Sequence, residues 1–177
     1  MSQIDKDFRE TYRLADGTLV VFRPITPEDA LIEWEFVHGL SEQSRYYRFC
    51  AGTRDLTPDM VRYFTHINLS QHMALIAVIT EPDGSEREIA VARYFKLENQ
   101  NRCEFAIVVD DRYQGQGVGH RMMELLILDA RAKHYEVMEG EVVAGNRRML
   151  NFVKELGFRL YRIEDEGTLL KAELPLD

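Results

Sequence analysis

The sequence predicts an α/β fold of the α+β kind: a mixed, largely antiparallel sheet with helices on both faces, built as one domain over residues 1–177. Three observations carry this. The apolar runs MALIAVIT (73–80), EIAVARYFKL (88–97) and CEFAIVV (103–109) follow one another across short turns, which is the pattern of an antiparallel meander. The period then becomes helical at Val118 and returns to a strand at EVMEGEVV (136–143), and such a strand–helix–strand crossover sets two strands parallel. Finally, FRLYRIE (158–164) and TLLKAEL (168–174) flank Asp165-Glu166-Gly167 as a closing hairpin.

The remaining elements follow in chain order. TLVVFR (18–23) reads as the first strand, entered through Asp16-Gly17. Thr26 is a candidate N-cap with Pro27 at the first helical position and acids in the first turn, so a helix to about Gly39 is expected. Ser41 can cap a short helix, and Thr57-Pro58 repeats the opening before VRYFTHI. Asn146 can cap NRRMLNFVKEL, whose Met149, Leu150, Val153 and Leu156 share a face, and Gly157 is a suitable stop.

Composition excludes several classes. A net charge of −8 repels polyphosphate backbones and argues against nucleic acid as a partner. The same field suits a cationic acceptor, although solubility alone would also explain it. The run MALIAVI is too short to span a bilayer, so no membrane role is expected. MSQIDKDFRE has neither signal-peptide nor transit-peptide character, and two cysteines, Cys50 and Cys103, cannot form a disulfide framework. A cytoplasmic location is the expectation, with a homodimer left open. The five histidines show no metal-ligand spacing, so no metal is expected.

The stretch YQGQGVGHR (113–121) places three glycines between a strand and a helix. A dinucleotide fingerprint fails in both registers, because the final glycine would fall on His120 or on Met122. A phosphate loop of the Walker type fails for want of a Gly-Lys pair. What fits is Q-x-x-G-x-G at Gln114, Gly117 and Gly119, where free amides at a helix start suit a pyrophosphate.

Together with FRPITPEDA, EFAIVVDDRYQGQGVG and NRRMLNFVKELGF, in that order, this stretch resembles the GNAT superfamily of acetyl-CoA-dependent N-acetyltransferases. The wording of LSEQSRYYRF and EFAIVV is most similar to the acetyltransferase domains of bacterial Pat-type protein lysine acetyltransferases. The resemblance implies the GNAT fold, with the sheet splayed at the cofactor strand, and acetyl-CoA as cofactor. It implies that Gln114, Gly115, Gln116, Gly117, Val118 and Gly119 wrap the CoA pyrophosphate with backbone amides. Ile107, Val108 and Val109 would pair through their backbones with the pantetheine arm. Asn146 matches an asparagine that contacts the arm, while capping its helix is an equally good reading.

Acetyl transfer to an amine needs a neutral nucleophile, and a lysine of ordinary pKa is neutral in only about one molecule in a few thousand at pH 7. Glu104 matches the family's glutamate base. Alternation sets it on a face with Ala106 and Val108, where apolar neighbours raise a carboxyl pKa as a base requires. A backbone N–H at Val109 or its neighbour would meet the developing oxyanion. Many family members carry a tyrosine acid where this chain has Val153, a departure that leaves Tyr161 only as a distant substitute. Cys103 reads as a core thiol. SRYYRF reads as packing for a short helix with solvated arginines, rather than as the acceptor entrance. The leading expectation is an N-acetyltransferase acting on a protein lysine by direct transfer. The alternatives are a small-molecule amine acetyltransferase and a non-catalytic acyl-CoA-binding sensor or partner subunit.

Overall fold

A computed structural model describes residues 4–49 and 56–177, so Cys50 lies outside the described residues. The strands are β1 (Glu10–Arg13), β2 (Leu19–Pro24), β3 (His72–Thr80), β4 (Glu86–Lys96), β5 (Arg102–Val109), β6 (Val137–Val143), β7 (Arg159–Ile163) and β8 (Glu166–Pro175). The helices are α1 (Ala30–Gly39), α2 (Glu42–Phe49), α3 (Pro58–Thr65), α4 (Val118–Ala132) and α5 (Arg147–Glu155). One sheet takes the order β1-β2-β3-β4-β5-β6-β8-β7, and β5–β6 is its single parallel pair.

The expected meander is present. Its first turn closes through the Glu81 N–H to the Ser85 carbonyl (2.8 Å), with Gly84 at φ +86°. Thr57 caps α3 by accepting from the Met60 N–H at 3.2 Å. Three features depart from the expected elements. β1 was not foreseen: its alternating, half-exposed residues present no apolar face. Thr26-Pro27 opens a 3-10 turn over Pro27–Asp29, and the α-helix begins only at Ala30. The closing hairpin inserts β8 between β6 and β7, so β6 pairs antiparallel with β8.

Helices cover both faces. On one, α4 packs Met122, Met123 and Leu126 against Leu75, Ala92 and Phe105. On the other, Phe36 and Val37 of α1 and Val61 of α3 pack against Ile76, Val91 and Val108. Strand alternation therefore sends Cys103, Phe105, Ile107 and Val109 toward α4, and Glu104, Ala106 and Val108 toward α1–α3.

Candidate active site

The β5–β6 ladder runs only from Arg102↔Val137 to Glu104↔Glu139. Beyond it the strands part, and β5 continues paired with β4 alone through Val109. At the parting the Phe105 ring lies across Gly140, where an added Cβ would sit 2.6 Å from the ring. The expected splay is thus wedged on the α4 side by an aromatic ring over a bare glycine.

Antiparallel pairing determines which backbone groups of β5 face the gap. The Asp110 N–H donates to the Ile89 carbonyl (2.8 Å) and the Leu97 N–H to the Arg102 carbonyl (2.9 Å), so even-numbered residues bond to β4. Odd-numbered residues turn their N–H and C=O toward β6. Ile107 and Val109 therefore direct backbone groups into the gap. Val108 does not: its backbone faces β4, a correction that follows from the two-residue period, and it reaches the cleft through its side chain on the α1–α3 face.

The glycine loop is held from three sides. Gln114 uses its side chain as a tie, with Nε2 donating to the Val109 carbonyl (2.9 Å) and Oε1 accepting from Arg148 Nη1 (2.5 Å). Gly115 and Gly117 have φ of +74° and +88°. The Tyr12 hydroxyl donates to the Gln116 carbonyl (3.1 Å) and would stand 2.3 Å from a Cβ on Gly117. A Cβ on Gly119 would press on Val109 and Ile107 at 3.3 and 3.4 Å. The first bond inside α4 runs from the Arg121 N–H to the Gly117 carbonyl (3.0 Å). The amides of Val118, Gly119 and His120 therefore have no partner within the helix. Arg147 and Arg148 line the cleft beside them with His120, and the two guanidinium groups make this end cationic. The arginines were not singled out beforehand, because a basic pair in a helix's first turn has no signature of its own. Asn146 caps α5, its Oδ1 accepting from the Met149 N–H at 3.2 Å, and it also lines the cleft.

A cleft of about 1220 Å³ joins this loop, the gap and Glu104. Glu104 is half-buried on the α1–α3 face, and its carboxyl is pushed above the ordinary range by burial first, then by Glu141 and Glu139, with Arg48 and Lys171 opposing. Glu141 also lines the cleft, so its far end is acidic. SRYYRF lies in α2, and Gln43, Ser44, Tyr47 and Arg48 form part of the cleft wall, with no residue of the helix buried. The expectation that it merely packs is corrected: α2 rests against β5 at the opening, tied by Ser44 Oγ to Asp111 Oδ1 (2.6 Å). Val153 is fully buried, Tyr161 is exposed on β7, and Cys103 is buried with its thiol pushed up to about 12 by burial.

The donor-rich loop, the parted strands between it and Glu104, and a bare helix start define a site that can hold a diphosphate-linked thioester in extended form. The comparisons agree. The acetyltransferase (GNAT) domain family matches residues 20–159, and the chain belongs to that family. It is 33% identical to an acetyltransferase of Pseudomonas aeruginosa over 163 residues, 92% of this chain and 87% of that protein. It is 28% identical to acetyltransferase Pat of Mycolicibacterium smegmatis across 87% of this chain, but spans only 45% of that longer relative. Among solved structures, the GNAT domain of S. lividans PAT superposes with a TM-score of 0.82 at 27% identity, covering 94% of this chain and 96% of that one. The chain is an N-acetyltransferase of the GNAT type, and its cofactor is acetyl-CoA. Among the described residues no helix is long and apolar enough to cross a membrane.

Proposed function

We propose that this enzyme acetylates a protein lysine, with Glu104 as the general base that makes the amine nucleophilic. The observation that carries the reading is the placement of Glu104 at the last position of β5 that pairs with β6, half-buried beside the opening of the gap with its proton affinity raised. The likeness to the two Pat proteins supports the choice of acceptor.

The residues divide the work along the cleft. The amides of Gly117–Gly119, with Gln114, Gly115 and Gln116 shaping the turn and Arg148 beside it, would hold the diphosphate. Ile107 through its N–H and C=O, and Val109 through its N–H, would hydrogen-bond the pantetheine arm, the Val109 carbonyl being held by Gln114, and Asn146 would approach it from the α5 cap. Acetyl-CoA supplies an activated acetyl thioester. Glu104 accepts a proton from the lysine Nζ as the new C–N bond forms and the C–S bond to CoA breaks. Val109, five residues and about 16 Å along the strand at the diphosphate end, is too far from Glu104 to meet the acyl oxygen. Val153 offers no proton to the departing sulfur.

The test is acetyl transfer to candidate proteins read by mass spectrometry, alongside a panel of small amines. Glu104→Gln is expected to lower kcat/KM by about 10²–10⁴-fold. It should also abolish the acid limb of the pH profile: the raised carboxyl is a base only above its own pKa, so wild-type activity falls as pH drops through that value. CoA binding should be unchanged. Turnover on small amines with none on any protein lysine would remove the acceptor assignment, and full activity in Glu104→Gln would remove the base.

A further inference from the structure

Behind the acceptor end of the cleft lies a group of buried charges that the chemistry above does not use. Glu33, Glu88 and Arg93 are each 2% exposed, and His72 is 8% exposed. Glu88 reaches this position because the β3–β4 register shifts at Ala77/Val78. Glu88 thereby pairs with Val78 and turns beneath α1, while Ile89 joins the opposite core. Neither Glu88 oxygen has a hydrogen-bond partner among the described residues, and neither does Glu33 Oε2. Buried carboxylate oxygens without donors cost several kcal/mol unless something satisfies them, so the arrangement requires an explanation.

Charge counting supplies one. Asp29 is already closed against Arg23 by two bonds of 2.7 Å. That leaves one guanidinium, Arg93, for two buried carboxyls. Burial, followed by the nearby Glu33 charge, drives the Glu88 carboxyl well above the carboxylate range. A proton on Glu88 donated to Glu33 joins one oxygen of each carboxyl and makes the trio neutral. The second Glu88 oxygen and Arg93 Nε are left without a partner among the described residues. Arg93 Nη2 donates to Glu33 Oε1 (3.4 Å), and Nη1 donates to the Phe64 carbonyl (3.1 Å) and approaches His72 Nε2 (3.5 Å). Burial and Arg93 lower His72 to about 4, so at neutral pH its imidazole is uncharged and Nε2 can accept. The guanidinium also stands 4.6 Å from the centroid of the Phe64 ring.

These contacts lead to the reaction site. Arg93, Phe64 and His72 line the cleft with Tyr63 and Phe95, and Phe95 is the cross-strand partner of Glu104. Arg93 itself is opposite Ala106, one same-face pair further along. We propose that Arg93 is a positioning residue for the acceptor end of the cleft, locked in place by Glu33 and Glu88 acting as a carboxyl–carboxylate pair that shares one proton. The inference rests on the reading that the acceptor enters beside Glu104. The charged groups that face Glu88 are Glu33 on α1, Arg93 on β4 and Asp29 before α1.

The sign follows from proton uptake. The folded state holds a proton on Glu88 that the unfolded chain releases near the ordinary glutamate value. Stability is therefore greatest below that value and declines as pH rises toward the folded pKa. Across that window the folding equilibrium constant should fall by about tenfold per pH unit on this group's account. Glu88→Gln keeps the shape and the donor but cannot ionise. It should unfold without that decline, become the more stable protein at alkaline pH, and lose a protonated-carboxyl infrared band that the wild type retains at pH 7. Parallel pH–stability curves, absence of that band from the wild type, or failure of Glu88→Gln to fold would each overturn the shared proton. Arg93→Lys, which keeps the charge but loses the fork, should raise the acceptor KM by about tenfold or more while the acetyl-CoA KM moves by less than about twofold. Equal changes in both constants, or in neither, would overturn the positioning role. The unfolding and infrared measurements need no acceptor, so they stand apart from Glu104→Gln, which tests the transfer reading.

Discussion

Replacing Gly117 by alanine probes the cofactor loop with two separable costs. The position has φ +88°, and the left-handed region costs a side chain about 1–2 kcal/mol. The new methyl would also lie 2.3 Å from the Tyr12 hydroxyl, which must move and release the Gln116 carbonyl, a hydrogen bond worth about 0.5–1.5 kcal/mol. Together these reach about 2–3 kcal/mol. If the loop shifts to relieve them, CoA affinity falls by about 30–150-fold. Calorimetric titration with CoA measures this directly. Tyr12→Phe alone deletes the hydroxyl and with it the bond to the Gln116 carbonyl, so it should show the second cost without the first, a loss of about 2–13-fold in CoA affinity. Wild-type CoA affinity in Gly117→Ala would refute the claim that this turn presents the diphosphate donors. Wild-type CoA affinity in Tyr12→Phe would refute the role of Tyr12.

Two further outcomes are expected. Glu141→Gln removes the largest like-charge influence on Glu104, so the acid limb of the kcat/KM profile should move to lower pH; an unmoved or upward-shifted limb would contradict the pairing of these carboxylates across the gap. Asp129→Asn keeps the volume of a fully buried side chain that accepts from the Ile4 N–H (3.1 Å), the Tyr94 hydroxyl (2.5 Å) and Lys133 Nζ (2.8 Å), but removes the charge that balances Lys133. Breaking such a pair costs about 3 kcal/mol, or roughly 6–12 °C in thermal midpoint for a chain of this size, and calorimetry should show it with CoA affinity intact.

Most of the architecture was legible because its signals are local. The meander is written in period-two apolar runs and turn residues. The helix starts at Pro58 and Arg147 are written in their caps, and the loop in glycines that only a close approach or a positive φ requires. Glu104 was legible as a half-buried carboxylate for the same reason, since alternation alone assigns its face. The sequence by itself therefore determined the elements, the turn that offers bare amides and the strand that carries the carboxylate.

What tertiary structure decided depends on residues far apart in the chain. Tyr12 meets Gln116 across 104 positions, and Arg121 grips Glu10 across 111, so an unremarkable polar segment becomes the buttress of the cofactor loop. One bulged residue in β4 reverses the face of Glu88, which no count of alternating residues from Val91 would indicate. Arg148 reaches Gln114 from another helix, and α2 comes to line the opening because β5 has no neighbour there. Local patterning encodes which face of an element is apolar. Pairing order, register shifts and the partners of buried charges are set by the free energy of the whole packed chain, and they become visible only once it is folded.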